Sequence, residues 1–364
     1  MASTLASASR RIQTCSNAAS APITIFTSIR SVAESLHDVA PHLVTHVLED
    51  DALRGRGGTV HFDPSALRPA TKLALRHAEI LVAEPSVVAR LLAHDASALP
   101  SLRWCFSTYA GVDPLFRAGL TLPLPWRLTR FAGCFGPPIA EWCLARVVGH
   151  ERGFAASAAD QLHGEWAGSK EAILEYRYLS SLTLSVLGCG EIGRCIARAA
   201  KAFGMKTVGY GKTSRRKDQP VEWIDEYTTD LSVALQNADY IASVLPSTPQ
   251  TRGLLNGDAF RAGSEGKGGK RPVFLNVGRG DVIDEASLLH ALDERWISAA
   301  ILDVFEVEPL PKESELWRRS DVTISPHVSG LTQAKDVPKV FLENYARFIE
   351  GRALKYEVDW NKGY

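Results

Sequence analysis

The sequence lacks an excess of charge of either sign. Its 364 residues include 41 Lys and Arg against 41 Asp and Glu, so the formal net charge is zero. Proteins that bind nucleic acids usually carry a basic surplus, and no nucleic-acid partner is therefore expected. With 45% hydrophobic and 23% charged residues, the composition is that of an ordinary globular protein, and no membrane partner is expected either. The function must then be sought in motifs.

Cysteine is scarce, and its spacing does not suggest pairing. The six cysteines, at positions 15, 105, 134, 143, 189 and 195, include no C-x-x-C pair and lie mostly in apolar or glycine-rich runs. This pattern favours free thiols in a reducing compartment over a disulfide framework. The ligand spacing typical of metal sites is also missing, so no metal is expected.

Acidic residues are missing from the start of the chain, where the first one is Glu34. Residues 1–21 contain Arg10, Arg11 and many Ser and Ala, but no apolar run long enough for a secretory signal. This composition is typical of a mitochondrial or other organellar transit peptide, and also of a disordered leader. We therefore expect an intracellular protein, either in mitochondria or another organelle or in the cytoplasm, with residues 1–21 outside the fold.

The chain is too long for one ordinary core and fits two domains. After the leader, short apolar runs alternate with helical stretches, which is typical of a parallel α/β sheet. The predicted fold class is α/β, with a flavodoxin-like doubly wound domain followed by a Rossmann domain. The predicted strands of the first domain are 23–26, 44–48, 80–83 and 104–107.

A glycine-rich loop organises the second domain. Gly188, Gly190 and Gly193 form G-x-G-x-x-G, with Glu191 and Ile192 inside the motif, between an apolar strand at 183–187 and a helical pattern that ends near Gly204. Glycines also serve plain turns, but a strand before and a helix after are the context that dinucleotide binding requires. The sequence therefore predicts a dinucleotide site here.

Further strands are predicted beyond this loop, and helical patterns separate several of them. Including the strand before the loop, six strands are expected, at 183–187, 205–210, 240–245, 272–276, 299–304 and 322–325. Residues 131–138 are interpreted as a crossover or hinge before a helix at 139–148, and a helix at 337–349 is expected to return to the first domain. The expected domains are 22–130 with 331–364, and 131–330.

Three reactive residues follow predicted strand ends: Arg279, Glu308 and His327. Open α/β sheets place ligands at the carboxyl ends of their strands. An arginine fork matches a carboxylate, a histidine exchanges protons near neutral pH, and a neighbouring carboxylate orients it. Each residue alone has a plain structural explanation, but together beside a dinucleotide site they indicate hydride transfer to a 2-oxo acid.

The motifs resemble those of the D-isomer-specific 2-hydroxyacid dehydrogenase family along nearly the whole chain after the leader. The matching segments are Y-A-G-V-D (109–113), G-C-G-E-I-G (188–193), L-P-S-T-P-Q-T (245–251), N-V-G-R-G-D-V-I-D (276–284), L-D-V-F-E-V-E-P (302–309) and S-P-H-V-S-G (325–330). The ending V-D-W-N-K-G-Y (358–364) resembles the glyoxylate/hydroxypyruvate reductase branch.

The resemblance implies a substrate domain built from both chain ends, a central nicotinamide domain and a homodimer formed largely through the nicotinamide domains. It assigns Arg279 to the substrate's carboxylate and carbonyl, His327 to acid/base work and Glu308 to the histidine's partner. It implies that the amides of Ala110 and Gly111 hold the carboxylate. Cofactor contacts are implied for Leu245, Pro246, Val277 and Asp303, of which Asp303 would meet the nicotinamide carboxamide.

The sequence departs from the NAD-using pattern after the second strand of this domain. Such enzymes place an acid there to hold the ribose 2′-hydroxyl, whereas this chain has Gly211. The residues that follow include Lys212, Ser214, Arg215 and Arg216, which suit a 2′-phosphate. NADPH is therefore the expected cofactor, with NAD possible. The alternative is a solvated basic loop with relaxed cofactor choice.

Two functions follow from these motifs. The first is NADPH-dependent reduction of a small 2-oxo acid such as glyoxylate or hydroxypyruvate, with bulkier aryl-pyruvates also compatible. The second is a dinucleotide-sensing binding module of the co-repressor type, a use that the same fold serves and that the three reactive residues do not exclude. The lost acid and the lack of a long interaction tail favour the reductase.

Overall fold

The structure is a computed structural model that describes residues 22–56, 59–166, 168–214, 220–236, 238–264 and 271–363. The chain divides into two compact units. The first takes the described residues up to Cys134 and those from Leu331 onward, and the second spans Phe135–Gly330. The boundaries thus lie at 134/135 and 330/331, where the sequence suggested 130/131 and 330/331.

The described residues form fourteen strands. They are β1 (Ile23–Ile25), β2 (Thr45–Val47), β3 (Leu53–Arg56), β4 (Thr59–Phe62), β5 (Ile80–Ala83), β6 (Trp104–Ser107), β7 (Arg127–Thr129), β8 (Thr183–Leu187), β9 (Lys206–Tyr210), β10 (Glu226–Thr228), β11 (Tyr240–Ser243), β12 (Val273–Asn276), β13 (Ala299–Leu302) and β14 (Val322–Ile324).

The α-helices of the described residues connect these strands. They are α1 (Val32–Val39), α2 (Pro69–His77), α3 (Pro85–His94), α4 (Asp113–Arg117), α5 (Gly136–Glu151), α6 (Phe154–His163), α7 (Lys170–Leu174), α8 (Glu191–Ala202), α9 (Leu231–Leu235), α10 (Arg261–Ser264), α11 (Glu285–Asp293) and α12 (Val337–Ile349).

The first unit contains a five-stranded parallel sheet in the order β2-β1-β5-β6-β7. Numbered within this sheet alone, the order is 2-1-3-4-5, which is the flavodoxin-like order. A separate antiparallel hairpin, β3 with β4, was not predicted. The α/β flavodoxin-like fold class is confirmed.

The C-terminal helix α12 packs on the first unit. Trp104 on β6 is fully buried, and its ring stacks on Phe341 of α12 with 5.2 Å between centroids. The Trp104 indole donates a hydrogen bond to Thr129 on β7 at 2.9 Å, so the polar edge of this large apolar ring is satisfied inside the core. The chain end therefore contributes to the same core as its beginning.

The second unit contains a seven-stranded parallel sheet in the order β10-β9-β8-β11-β12-β13-β14. Numbered within the sheet, this is 3-2-1-4-5-6-7, the Rossmann order with one added strand. The strand order reverses between β8 and β11, and open α/β sheets bind ligands beyond the carboxyl ends at such a switch point. The second unit is thus a Rossmann domain, as predicted.

Two details of this unit were predicted wrongly. The sheet has seven strands rather than six, because the short edge strand β10 has too few apolar residues to stand out in the sequence. Helix α5 begins at Gly136 rather than at 139, since Pro137 and Pro138 lie in its first turn, where a missing N–H costs nothing. Residues 131–135 of the expected hinge therefore form a loop, and residues 136–138 form the start of helix α5.

Candidate active site

The glycine loop between β8 and α8 has the geometry that a pyrophosphate needs. Gly188 has φ +106°, which L side chains rarely adopt, and it lets the chain turn at the end of β8. A β-carbon at Gly193 would collide with the Gly188 carbonyl and lie 3.0 Å from Val186, so Gly193 lets helix and strand pack closely. A β-carbon at Gly190 would meet no described atom within 4 Å, so the loop's outer surface has room for a phosphate.

Helix α8 begins with Glu191, directly behind this loop. The first backbone N–H groups of a helix have no partners within it and attract an anion. Its buried side includes Ile196, Ala197 and Ala200, which fixes the helix against the sheet. The residues present therefore fit a dinucleotide, because Ile192 lies in the first turn of the helix and Gly190 leaves the outer surface of the loop open.

The loops after β11 and β12 lie at the same edge of the sheet. Leu245 is buried, and a β-carbon at Gly278 would approach its carbonyl oxygen to 2.7 Å, so these two loops are in close contact. Val277 is also buried, and its amide donates to Ser243 at 3.1 Å. This arrangement brings Leu245, Pro246 and Val277 beside the switch point.

Arg279 follows β12 and is half-buried. Its backbone carbonyl accepts a hydrogen bond from Asn276 Nδ2 at 3.0 Å, and its own Nη1 donates to the Gly278 carbonyl at 2.8 Å. A β-carbon at Gly280 would collide with Phe305, so this glycine lets the loop that carries Arg279 lie against the loop after β13. The arginine is thus anchored on rigid backbone.

The structure pairs His327 with Glu308. Nδ1 of His327 lies 2.9 Å from Glu308 Oε2, while Oε1 of the same carboxylate accepts from the Phe305 amide at 2.9 Å. Partial burial works to raise the pKa of the Glu308 carboxyl, but the hydrogen bond and charge of His327, helped by the Phe305 amide and the charge of Arg279, hold that pKa below its usual range. Three residues that are distant in sequence therefore act on one another in the fold.

His327 occupies a strained backbone position. Its φ is +54°, in the left-handed region, directly after Pro326. Non-glycine residues in this region cost free energy and cluster at functional sites when the surroundings hold them there. The His327 amide donates to the Asp303 carbonyl at 2.8 Å, which fixes the turn.

Asp303 holds the histidine loop from below, a role that the sequence analysis missed. Its carboxylate is fully buried and accepts from Ser325 Oγ at 2.5 Å and from the amides of Val328 and Ser329 at 2.9 Å each. A buried carboxylate with several donors anchors backbone strongly. Its position at the end of an apolar strand was visible in the sequence, but its partners depend on the fold.

Tyr227 on the unpredicted strand β10 lies beside the end of β9. Gly211 follows this strand, and Lys212 and Ser214 beside it are exposed. Tyr227 on β10 donates a hydrogen bond to the Thr213 carbonyl at 2.9 Å, so the edge strand supports the segment that carries Lys212. Arg215 and Arg216, expected to bind the cofactor, lie outside the described residues.

Ala110 and Gly111 belong to the first unit, where they follow β6. The turn before them is held by Ser107, whose hydroxyl donates to the Tyr109 carbonyl at 2.7 Å and accepts from the Tyr109 amide at 3.0 Å. Arg130 Nη1 donates to the Ala110 carbonyl at 3.4 Å. Both residues are half-buried in a turn with fixed backbone, as a pair of amide donors requires.

Some other site types have no counterpart among the described residues. Within them, no group of three or more His, Cys, Asp or Glu could hold a metal ion. The five cysteines that the structure describes are free thiols. No described helix combines the length and apolar character needed to cross a bilayer.

Comparison with known proteins identifies the family. The family model "D-isomer specific 2-hydroxyacid dehydrogenase, NAD binding domain" matches residues 144–329, just over half of the chain. A D-isomer-specific 2-hydroxyacid dehydrogenase family protein from Aeromonas salmonicida subsp. salmonicida A449 is 32% identical, with a TM-score of 0.76, and the match covers 93% of this chain and 99% of that one.

Two further solved structures are similar over nearly their full length. The NADPH-dependent glyoxylate/hydroxypyruvate reductase from Sinorhizobium meliloti, in complex with NADP and sulfate, is 28% identical with a TM-score of 0.74, covering 94% of this chain and 100% of that one. A D-isomer-specific 2-hydroxyacid dehydrogenase from Xanthobacter autotrophicus Py2, in complex with NADPH and MES, is 26% identical with a TM-score of 0.72, covering 95% and 100%. This chain belongs to the D-isomer-specific 2-hydroxyacid dehydrogenase family and is an NAD(P)-dependent oxidoreductase.

Proposed function

We propose that the protein uses NADPH to reduce a small 2-oxo acid, such as glyoxylate or hydroxypyruvate, to the 2-hydroxy acid, which is the D-isomer where C2 of the product is chiral. The observation that carries this proposal is the His327–Glu308 pair, held at 2.9 Å at the same edge of the sheet as the glycine loop. A proton donor and a dinucleotide loop at one edge are what carbonyl reduction needs. The resemblance to the reductase from S. meliloti supports the substrate class.

His327 is the proposed proton donor. Its Nδ1 is engaged by Glu308, so Nε2 is the nitrogen that can donate to a carbonyl oxygen. The Glu308 carboxylate holds the ring in one orientation. When bound, a nicotinamide would supply the hydride to the carbonyl carbon, and His327 would donate the proton to the carbonyl oxygen. The balance is one 2-oxo acid, one NADPH and one proton giving the 2-hydroxy acid and NADP⁺.

Arg279 is the proposed ligand of the substrate's carboxylate and carbonyl. Its guanidinium offers a planar pair of donors that matches a carboxylate, and its anchored backbone keeps that pair in place. We assign the amides of Ala110 and Gly111 to the same carboxylate. A 2-oxo acid would thus be recognised by the group that all such acids share.

NADPH is the proposed cofactor rather than NADH. Gly211 supplies no acceptor for a ribose 2′-hydroxyl, whereas Lys212 and Ser214 are exposed beside it and suit a 2′-phosphate, together with Arg215 and Arg216. The structures from S. meliloti and X. autotrophicus contain NADP and NADPH respectively. The other proposed cofactor contacts are Gly188, Gly190, Glu191, Ile192, Gly193, Leu245, Pro246, Val277 and Asp303.

A homodimer is the proposed assembly. Large apolar side chains are exposed in and around α6 and α7, namely Phe154 (58%), Leu162 (86%), Trp166 (97%), Leu174 (62%) and Tyr178 (72%). Exposed apolar side chains concentrated in one short stretch mark an interaction surface. The stretch lies in the second unit, the one expected to form the dimer.

The cellular location stays a hypothesis. Residues 1–21 lie outside the described residues, and both an organellar and a cytoplasmic location agree with their composition. Fractionation of cells that express the full chain or a variant without residues 1–21 distinguishes the two. Loss of organellar enrichment in the shortened variant would establish a transit peptide.

The experiment for the activity is a panel of 2-oxo acids, each assayed with NADPH and with NADH by the fall in nicotinamide absorbance. We expect the highest kcat/KM with NADPH and a small substrate. Absence of turnover with every acid would contradict the proposal and return attention to the co-repressor alternative. The similar structures are described as dehydrogenases or a reductase, which does not favour that alternative.

A further inference from the structure

Tyr227 occupies the space that an NAD-type acid would need. A β-carbon built on Gly211 collides with the Tyr227 hydroxyl oxygen and lies 3.2 Å from Cζ and 3.4 Å from Cε2 of the same ring. The contact with Cζ is tight and would need a shift of a few tenths of an ångström, whereas the hydroxyl oxygen lies too close to stay where it is, so the hydroxyl is the main obstruction. Any residue larger than glycine at position 211 must displace this group.

The backbone around Tyr227 fixes the ring in place. Strand β10 pairs in parallel with β9, with Tyr227 opposite Gly209, and the Gly211 amide donates to the Thr228 carbonyl at 3.2 Å. The hydroxyl donates to the Thr213 carbonyl at 2.9 Å, which ties the ring's far end to the segment between Lys212 and Ser214. Tyr227 is thus held through its backbone by β9 and through its hydroxyl by Thr213, and moving the ring costs the hydrogen bond to the Thr213 carbonyl.

We propose that Tyr227 is a specificity-determining positioning residue for the 2′ end of the dinucleotide. It excludes an acidic side chain from position 211 and holds the Lys212–Ser214 segment in the conformation that meets a 2′-phosphate. This inference rests on the proposed use of NADPH. On this basis we expect that an exchange of Gly211 alone does not convert the cofactor choice, because Tyr227 still occupies the space that the new side chain needs.

The first test is a double-mutant cycle read by binding rather than by turnover. Dissociation constants for NADPH, NADH, 2′,5′-ADP and 5′-AMP are measured by calorimetry for the wild type, Gly211→Asp, Tyr227→Phe and the double variant. Tyr227→Phe should weaken NADPH and 2′,5′-ADP by about three- to tenfold, and NADH and 5′-AMP by less than about twofold. Tyr356→Phe, which removes a hydroxyl in the first unit, should change none of the four constants.

The energetic coupling between positions 211 and 227 tests the proposed role of Tyr227 most directly. Gly211→Asp alone should weaken NADPH without improving NADH, whereas the double variant should bind NADH about tenfold more tightly than Gly211→Asp does. Additive effects of the two substitutions on NADH binding would overturn the inference. So would equal loss of NADPH and NADH in Tyr227→Phe, because a merely structural role affects both cofactors.

A second measurement is independent of the cofactor. Gly211→Ala should lower the melting temperature of the protein without ligand, and Tyr227→Phe added to it should restore part of that loss, because the colliding oxygen is gone. If the wild type prefers NADH, the proposed use of NADPH is wrong, but the melting temperatures still test the steric coupling between positions 211 and 227. Equal melting temperatures of Gly211→Ala and the wild type would contradict the steric argument.

Discussion

The replacement Glu308→Gln tests the proton donor through its partner. The carboxylate accepts from two donors at once, the Phe305 amide and His327 Nδ1, each at 2.9 Å. A glutamine has one oxygen and one NH₂ in the same places. If its oxygen faces Phe305, its NH₂ opposes a protonated Nδ1; if it is reversed, its NH₂ opposes the Phe305 amide. The variant therefore cannot support an imidazolium without one repulsive contact.

The size of the effect follows from the contacts. A hydrogen bond to a charged group contributes about 1.5–3 kcal/mol, and the side chains of His327 and Glu308 are 48% and 36% exposed, so solvent screening reduces this to about 1–2 kcal/mol. We expect kcat to fall by about 5- to 30-fold while cofactor binding is unchanged. Glu306→Gln, an exposed neighbour, is the matched control and should retain wild-type turnover.

The dependence of activity on pH is a second test of the His327–Glu308 pair. The pKa of Glu308 is held below its usual range, so the pair is intact above that lowered pKa and is lost only as the pH falls through it. The His327–Glu308 pair of the wild type should therefore persist below the ordinary pKa of a glutamate, which is about 4.3. Glu308→Gln has no carboxyl group to titrate at this position, so the loss of activity that protonation of Glu308 causes in the wild type should be absent from its profile. Wild-type turnover and an unchanged profile in this variant would refute the pairing.

Three further predictions concern other parts of the molecule. Arg279→Lys keeps the charge but loses the planar fork, so kcat/KM should fall by about 10- to 100-fold. The control Arg198→Lys on α8 should leave kcat/KM unchanged. Full activity of Arg279→Lys would show that another residue binds the substrate's carboxylate. Burial raises the pKa of Glu84, although hydrogen bonds from Ser28 and Thr27 work against it. The unfolding free energy should therefore decline as the pH rises from the pKa of Glu84 in the unfolded state to its raised pKa in the folded state. Urea titrations should show this decline for the wild type but not for Glu84→Gln, and an equal decline in both proteins would contradict the prediction. Trp166→Ser with Leu162→Ser should convert a dimer to a monomer in light scattering, whereas the exposed Trp317→Ser should not; a monomeric wild type would exclude the dimer.

Much of the site could be predicted because each part is local in sequence. The glycine spacing, the apolar strand before it and the helix after it lie within one short stretch, and reactive residues that follow strands must converge at one edge of a parallel sheet. Arg279, Glu308 and His327 could be chosen on that basis. The contact between Glu308 and His327 then required the loops after β13 and β14 to fold together.

The parts that were missed depend on tertiary context. Strand β10 has three residues, Glu226 to Thr228, and its only signal was a tyrosine and a threonine in a charged stretch. The hydroxyl of Tyr227 above Gly211 follows from the pairing of β10 with β9, and no pattern in the sequence indicates it. The role of Asp303 could not be predicted either, because its three hydrogen-bond donors come from residues more than 20 positions away in the sequence.

The most direct test of the central claim follows one hydride into one product. The wild-type protein is incubated with hydroxypyruvate and NADPH that carries deuterium on the transferred position of the nicotinamide, and the product is analysed by chiral chromatography with mass detection. We expect D-glycerate with one deuterium on C2, and we expect His327→Ala to form this product about 10²- to 10⁴-fold more slowly. Unlabelled product, the L-enantiomer or no product at all would contradict the central claim.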